Sequence, residues 1–280
     1  MRRWMTALAL FLSLMACQGQ TPAEKYVTTP EDEALANKVL LELTICAGEE
    51  PGKRMARTAE ALIGQSYVAG TLEERPEEKL CIYLTRTDCF LFVETCLALV
   101  RATSQGGTFD VFARELLRSR YRGGVCSRYE DRLHYTTEWA RQAVSRGVLE
   151  DVTEALGGVP YEHPIHYMSD HPDAYPRMKD PEAIAAVERD INARPSAYIP
   201  KENLAEALPG IMNGDIILFT TCTEGLDVSH CAIARVDPGQ PVRFIHASTA
   251  AKKVILEPRT LDEYVQERKS VSGIQVYRIR

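Results

Sequence analysis

The 280-residue chain is 45% hydrophobic and 26% charged with a net charge of -6, so it has ample material for a core. It lacks the Lys/Arg block or basic, aromatic-laced stripe of a nucleic-acid binder, and no nucleic-acid partner is expected. No Gly-x-Gly-x-x-Gly, no Walker loop and no internal repeat is present, which leaves nucleotide-binding and solenoid readings without support.

In chain order, MRRWMTALALFLSLMAC pairs two early arginines with an apolar run of signal-peptide length, too short to span a bilayer. Residues 1–16 are therefore expected to be an export signal. A small residue before Cys17 resembles the bacterial lipobox, which would make Cys17 the lipidated first residue of the mature chain. Residues 17–32, polar with two prolines, are expected to be its tether, and residues 33–280 the folded domain. The expected setting is an exported bacterial lipoprotein on the periplasmic side of a membrane. Gln18 after the lipid-bearing cysteine is consistent with the outer membrane.

Apolar residues at helical spacing predict helices in EDEALANKVLLELTICAG, GKRMARTAEALIGQ, the run from Cys89 to about Thr103, TFDVFARELLRSR, HYTTEWARQAVSRG and PEAIAAVERDINAR. From Gly214 onward the period changes. GDIILFTT, VSHCAIARV, VRFIHAS, KKVILEP and GIQVYRIR read as strands, interrupted by the short helix TLDEYVQERK. Helices followed by an antiparallel meander indicate an α+β domain. Between about 122 and 210 lies a Pro-, Tyr- and His-rich stretch, too long for an ordinary connection and too aromatic for a linker; it is expected to be a long central insertion of ordered loops.

Eight cysteines (Cys17, Cys46, Cys81, Cys89, Cys96, Cys126, Cys222, Cys231) show no metal-ligand spacing. His163, His166 and His171, split by prolines, give poor metal geometry, so no metal or other cofactor is expected. Disulfides are the default in an exported protein, yet Cys46, Cys89 and Cys96 lie in helical apolar patterns, and the pairings stay open. Asp88 is a good N-cap, which sets Cys89 in the first turn of a helix. There the unpaired N–H groups and the helix dipole favour a thiolate and could also serve an oxyanion. Cys96, two turns on, lacks that environment.

A thiolate nucleophile needs a base. Pro238 and Gly239 suit the centre of a type II turn between VSHCAIAR and VRFIHAS, and a hairpin centred there places His230 opposite His246 on one sheet face. A one-residue slip would separate them.

TDC opening an apolar helix, GDIILF, SHCAIA and HAS, in this order, resemble the NlpC-type branch of papain-like cysteine peptidases that cleave bacterial cell-wall peptides. YVAGTLEE, TDCFLFVETCLAL, YRGG and RLHY are most similar to the branch acting as N-acetylmuramoyl-L-alanine amidases, which cut between muramic acid and the stem peptide. The resemblance covers most of residues 55–280. It implies a papain-like α+β fold, Cys89 as nucleophile, His230 as general base, His246 as its orienter and Tyr67 near the oxyanion or substrate. Asp88, Arg122, Arg132 and His134 are the further expected substrate-side residues. Peptidoglycan or muropeptide fragments would be the substrate and a lipid anchor the membrane contact. Phe90 stands where the family has a small polar residue, and Cys231 where it has a small or aliphatic one; Cys231 is expected to point into the core. The rival readings are an endopeptidase of the same fold cutting between D-Glu and the diamino acid, a non-catalytic wall-binding lipoprotein, and a zinc-dependent amidase.

Overall fold

The computed structural model describes residues 26–280. Thr29 caps α1 (Pro30–Ile45) by accepting from the Asp32 N–H, and the proline at the helix start lacks only an N–H that the first turn leaves unpaired anyway. The buried Asp32 carboxylate in turn accepts from Leu84 N–H, Thr85 N–H and the Thr85 hydroxyl, which ties α1 to the segment leading to Cys89. Val27 exchanges backbone hydrogen bonds with Leu80 and Ile82. The expected tether thus ends earlier than residue 32: from residue 26 the chain is already part of the folded body. Cys17 and the expected signal lie outside the described residues.

After α2 (Pro51–Ala61) come two short strands, β1 (Ser66–Tyr67) and β2 (Arg86–Thr87), then α3 (Cys89–Thr103), α4 (Phe109–Arg120) and α5 (Thr136–Ser145). α3 is the central helix, with Phe92, Cys96 and Leu99 fully buried. A fully buried ion pair, Arg120 Nε to Glu94 Oε2 at 2.9 Å, fastens it to α4.

The second half supplies β3 (Leu149–Asp151), β4 (Val159–Pro160), α6 (Pro181–Asn192), β5 (Ala197–Pro200), β6 (Ile216–Thr221), β7 (Val228–Arg235), β8 (Arg243–Ser248), β9 (Lys253–Leu256), α7 (Leu261–Glu267) and β10 (Val271–Ile279). The ten-stranded sheet runs β2-β1-β9-β8-β7-β6-β10-β5-β4, with β3 also on β10. β6 to β9 form the expected meander, and β10 returns beside β6. Alternation sends Leu218, Cys231 and Ile245 to the helical side, and Phe219, Ala232 and Phe244 to the other side, where Leu261, Tyr264 and Val265 of α7 cover them. The architecture is therefore mixed, helices packed on a sheet, as an α+β class requires.

Two details differ from expectation. The stretch 122–210 holds the two expected helices, α5 and α6, and beyond its loops also β3 and β5, which both pair with β10. β3, β4 and β5 have two to four residues, β4 and β5 each with a proline, too short for a period of two to show. The β7–β8 register also differs. Ile233 pairs with Ile245 and Arg235 with Arg243, so continuing the ladder places His246 across from Ala232, one diagonal step from His230. The turn itself is as expected, with Gly239 at φ 72° and Gln240 N–H on the Asp237 carbonyl. Pro241, which has no N–H to donate, and Val242 lengthen the return before β8 begins. A slip of two residues preserves the face, and both imidazoles stay together.

Candidate active site

The Asp88 side chain accepts from the Leu91 N–H at 2.9 Å with its own backbone extended, the N-cap geometry that makes Cys89 the first helical residue. Cys89 is half-buried and opens on a cleft of about 210 Å³ whose lining includes Tyr67, His230, His246, Tyr264 and Arg268. Tyr67 reaches it because β1 docks on the turn before β9, its N–H donating to the Lys252 carbonyl.

His230 Nε2 lies 2.7 Å from His246 Nδ1, and His246 Nε2 lies 3.1 Å from Glu257 Oε2. The other Glu257 oxygen accepts from Arg259 Nε at 2.7 Å. This chain fixes the protons. Burial, helped by the charge of His230 and opposed by Glu257, pushes the His246 pKa down to about 3, so the ring is neutral. A neutral ring facing a carboxylate carries its proton on Nε2, which leaves Nδ1 an acceptor. His230 must therefore donate from Nε2, and its Nδ1 is left for a proton exchanged with Cys89. Phe219, Phe244 and Tyr264 pack against the two rings and hold this geometry.

The Cys89 thiol is held well below the ordinary cysteine value, first by the thiol of Cys231, against burial, and then by the imidazole of His230. Cys231 is buried on the helical side of β7 as expected, yet it is more than filler. Its Sγ donates to the Cys89 carbonyl at 3.1 Å, and its single proton can go to that oxygen or to the neighbouring sulfur. Burial and the Cys89 charge keep Cys231 itself protonated. Cys96 is the contrast: burial alone drives its thiol up, and it is inert. Burial and the charges of Cys89 and Asp88 raise Tyr67 to about 12, so its hydroxyl stays a donor. Asp88 is raised to about 6 by burial and the Cys89 charge, against the Leu91 N–H.

The remaining expected residues lie apart from this cleft. Arg122 is held by both oxygens of Glu138 and lines neither cavity beside Asp88. Arg132 is spent on Glu73 and Glu78. His134, half-buried, donates from Nε2 to the Tyr129 carbonyl at 2.9 Å, and burial lowers its pKa to about 3. Arg132 and His134 line a separate cavity of about 160 Å³ reached by Asp88 and Phe90. Phe90 packs edge-on against Trp139, so its bulk shapes that cavity and not the Cys89 cleft. Glu257 went unrecognised in the sequence. Its signal was the β8–β9 register: His246 pairs with Ile255, which puts residue 257 on the same face one step away.

His163, His166 and His171 bind the Thr223 and Leu226 carbonyls, Asp170 and the Tyr167 carbonyl respectively, and among the described residues no group of three donors gathers to hold a metal ion. The described cysteines are all free thiols. No helix among the described residues is long and apolar enough to cross a membrane.

The neutrality of His246 has a measurable consequence. Unfolded, the ring takes up a proton near its ordinary 6.5; folded, it stays neutral down to about 3. The stability it allows is present above pH 6.5 and lost as the pH falls from there towards 3. Urea titrations at pH 7.5 and pH 5 are expected to differ by about 2 kcal/mol from this group. His246→Asn, which cannot be protonated, is expected to flatten that difference, and an equal slope in the variant would refute the assignment.

Fold and site together define an α+β protein with a thiol–imidazole centre in an open cleft at a helix start. The chain belongs to the AmiA-like family, described as N-acetylmuramoyl-L-alanine amidase-like, whose model matches residues 57–274. A Bacteroides uniformis N-acetylmuramoyl-L-alanine amidase is 34% identical with a TM-score of 0.78, over 83% of this chain and 100% of that one. A Bacteroides fragilis protein described as a candidate xylanase is 39% identical with a TM-score of 0.74, over 80% of this chain and all of that one. A Legionella pneumophila protein shares the fold at 19% identity, TM-score 0.66, covering 90% of this chain and 97% of that one. No curated protein sequence matches the chain significantly.

Proposed function

We propose that the protein is a cysteine-dependent N-acetylmuramoyl-L-alanine amidase of peptidoglycan, with the papain-like arrangement of the NlpC type, exported and held on the periplasmic side of a membrane by lipid at Cys17. The observation that carries the reading is the line of Cys89, His230 and His246 along one cleft, with the buried Glu257 behind His246. The choice of bond is supported by the family's description and by the name of the Bacteroides uniformis relative.

The Cys89 thiolate attacks the carbonyl carbon of the lactyl–L-Ala amide, forming a C–S bond as the π electrons move to oxygen. The N–H of Cys89, which Asp88 does not use, and the Tyr67 hydroxyl meet that oxygen. Collapse breaks the C–N bond, and the proton on His230 Nδ1 goes to the departing L-Ala amine. Water then attacks the thioester, gives its proton to the same nitrogen and releases the muramic acid carboxylate and the thiolate.

A glycosidase reading, suggested by the Bacteroides fragilis relative, lacks its chemistry: hydrolysis of a sugar bond uses two carboxyl groups flanking the bond, and the residues lining the Cys89 cleft include none. The endopeptidase alternative uses the same thiol and differs in the bond alone.

Treatment with iodoacetamide near neutral pH is expected to abolish release of soluble fragments from purified sacculi, with the adduct on Cys89 and none on Cys96 or Cys231. Chelator is expected to change nothing. Loss of activity to chelator would favour the zinc enzyme, and wall binding without hydrolysis the non-catalytic reading.

A further inference from the structure

Arg259 and Arg268 both stack on the Tyr264 ring, at 4.8 and 4.0 Å from its centroid. Their charges are used differently. Arg259 is paired with Glu257 and Glu267. Arg268 has no carboxylate partner among the described residues, is exposed, and faces the Cys89 cleft. Its position is set from both sides: its N–H donates to the Val265 carbonyl at the end of α7, and its carbonyl accepts from Lys201 Nζ. Apart from Val271, the rest of the cleft wall carries hydroxyls, a thiol and imidazoles, with no acid to neutralise a cation. Its charge is felt at the centre, contributing to the lowering of His246.

We infer that Arg268 is the specificity residue of the cleft, binding a carboxylate that the substrate carries beside the amide attacked by Cys89. A guanidinium seated over a ring and paired with no carboxylate keeps its N–H groups for an incoming anion, and a planar fork of donors suits a carboxylate. A stem peptide, the substrate class of the proposed function on which this inference rests, carries such a group: its second residue, joined through the side-chain carboxyl, leaves the α-carboxylate free two residues from the muramoyl bond. Amidation of that carboxylate removes the charge and leaves the shape.

Two measurements test this. The first needs no enzyme activity: alkylation of Cys89 by iodoacetate and by iodoacetamide at low ionic strength, read on the Cys89 peptide by mass spectrometry. The ratio of the two rates cancels any change in thiolate fraction. It is expected to fall about three-fold in Arg268→Gln and to persist in Arg268→Lys. The second compares muropeptides with the second-residue carboxylate free or amidated. Wild type is expected to show a KM about ten-fold lower for the free form, and Arg268→Gln to erase that preference with kcat little changed. An unchanged alkylation ratio in Arg268→Gln, or a carboxylate preference that survives it, overturns the inference. A ratio that falls while neither muropeptide is cut upholds the anion site and defeats the amidase reading instead.

Discussion

Cys89→Ala and His230→Ala are each expected to lose at least about 10⁴-fold in kcat on wall fragments, and the double variant no more than the worse of the two. The reason is that in the proposed mechanism the sulfur and the imidazole act as one unit. The Cys89 pKa is lowered partly by His230, and the proton released to the leaving amine must be held by the same ring. Glu257 stands outside this unit, since it acts through His246 by fixing which nitrogen of that ring bears the proton. Additive losses in the double variant, measured as single-turnover rates, would mean that the two residues serve separate steps.

The largest effect on stability is expected from Arg120→Ala, at about 3–5 kcal/mol by urea denaturation at neutral pH. Glu94 is completely buried and Arg120 is 3% exposed, so removing the guanidinium strands a carboxylate in the core, five residues from Cys89 on the same helix. Burial raises the Glu94 pKa, and Arg120 is what opposes it. Without Arg120 the pKa rises further above its unfolded value, so the variant binds a proton on folding. Its deficit is therefore expected to shrink as the pH falls from 7 to 5. Replacing the pair together, Glu94→Leu with Arg120→Met, is expected to cost less than Arg120→Ala alone, because no unpaired charge remains. Equal costs would place the effect in lost packing.

What the sequence made legible was local. The cap at Asp88 needs only its own geometry and three following residues, and the strand patterns of 216–279 are long enough to show their period. The common face of His230 and His246 survived a wrong register because the error was even. What escaped was set by partners distant in the chain. Glu257 matters through its ladder position opposite β8, Cys231 because the start of α3 lies on it, and β3 and β5 because β10 leaves open to them the edge opposite β6. Arg132 illustrates the opposite error. As an isolated arginine in a loop it reads as a substrate contact, and only the folded chain brings Glu73 and Glu78 to it.

Which bond the protein cuts is answered by a digest of a defined muropeptide. Mass spectrometry of the products of the wild-type protein is expected to find the intact stem peptide with a free L-Ala amine and the sugar with a free lactyl carboxylate, with Cys89→Ala giving neither. Cleavage within the stem, between D-Glu and the diamino acid, or products undiminished in Cys89→Ala, would contradict the proposed function.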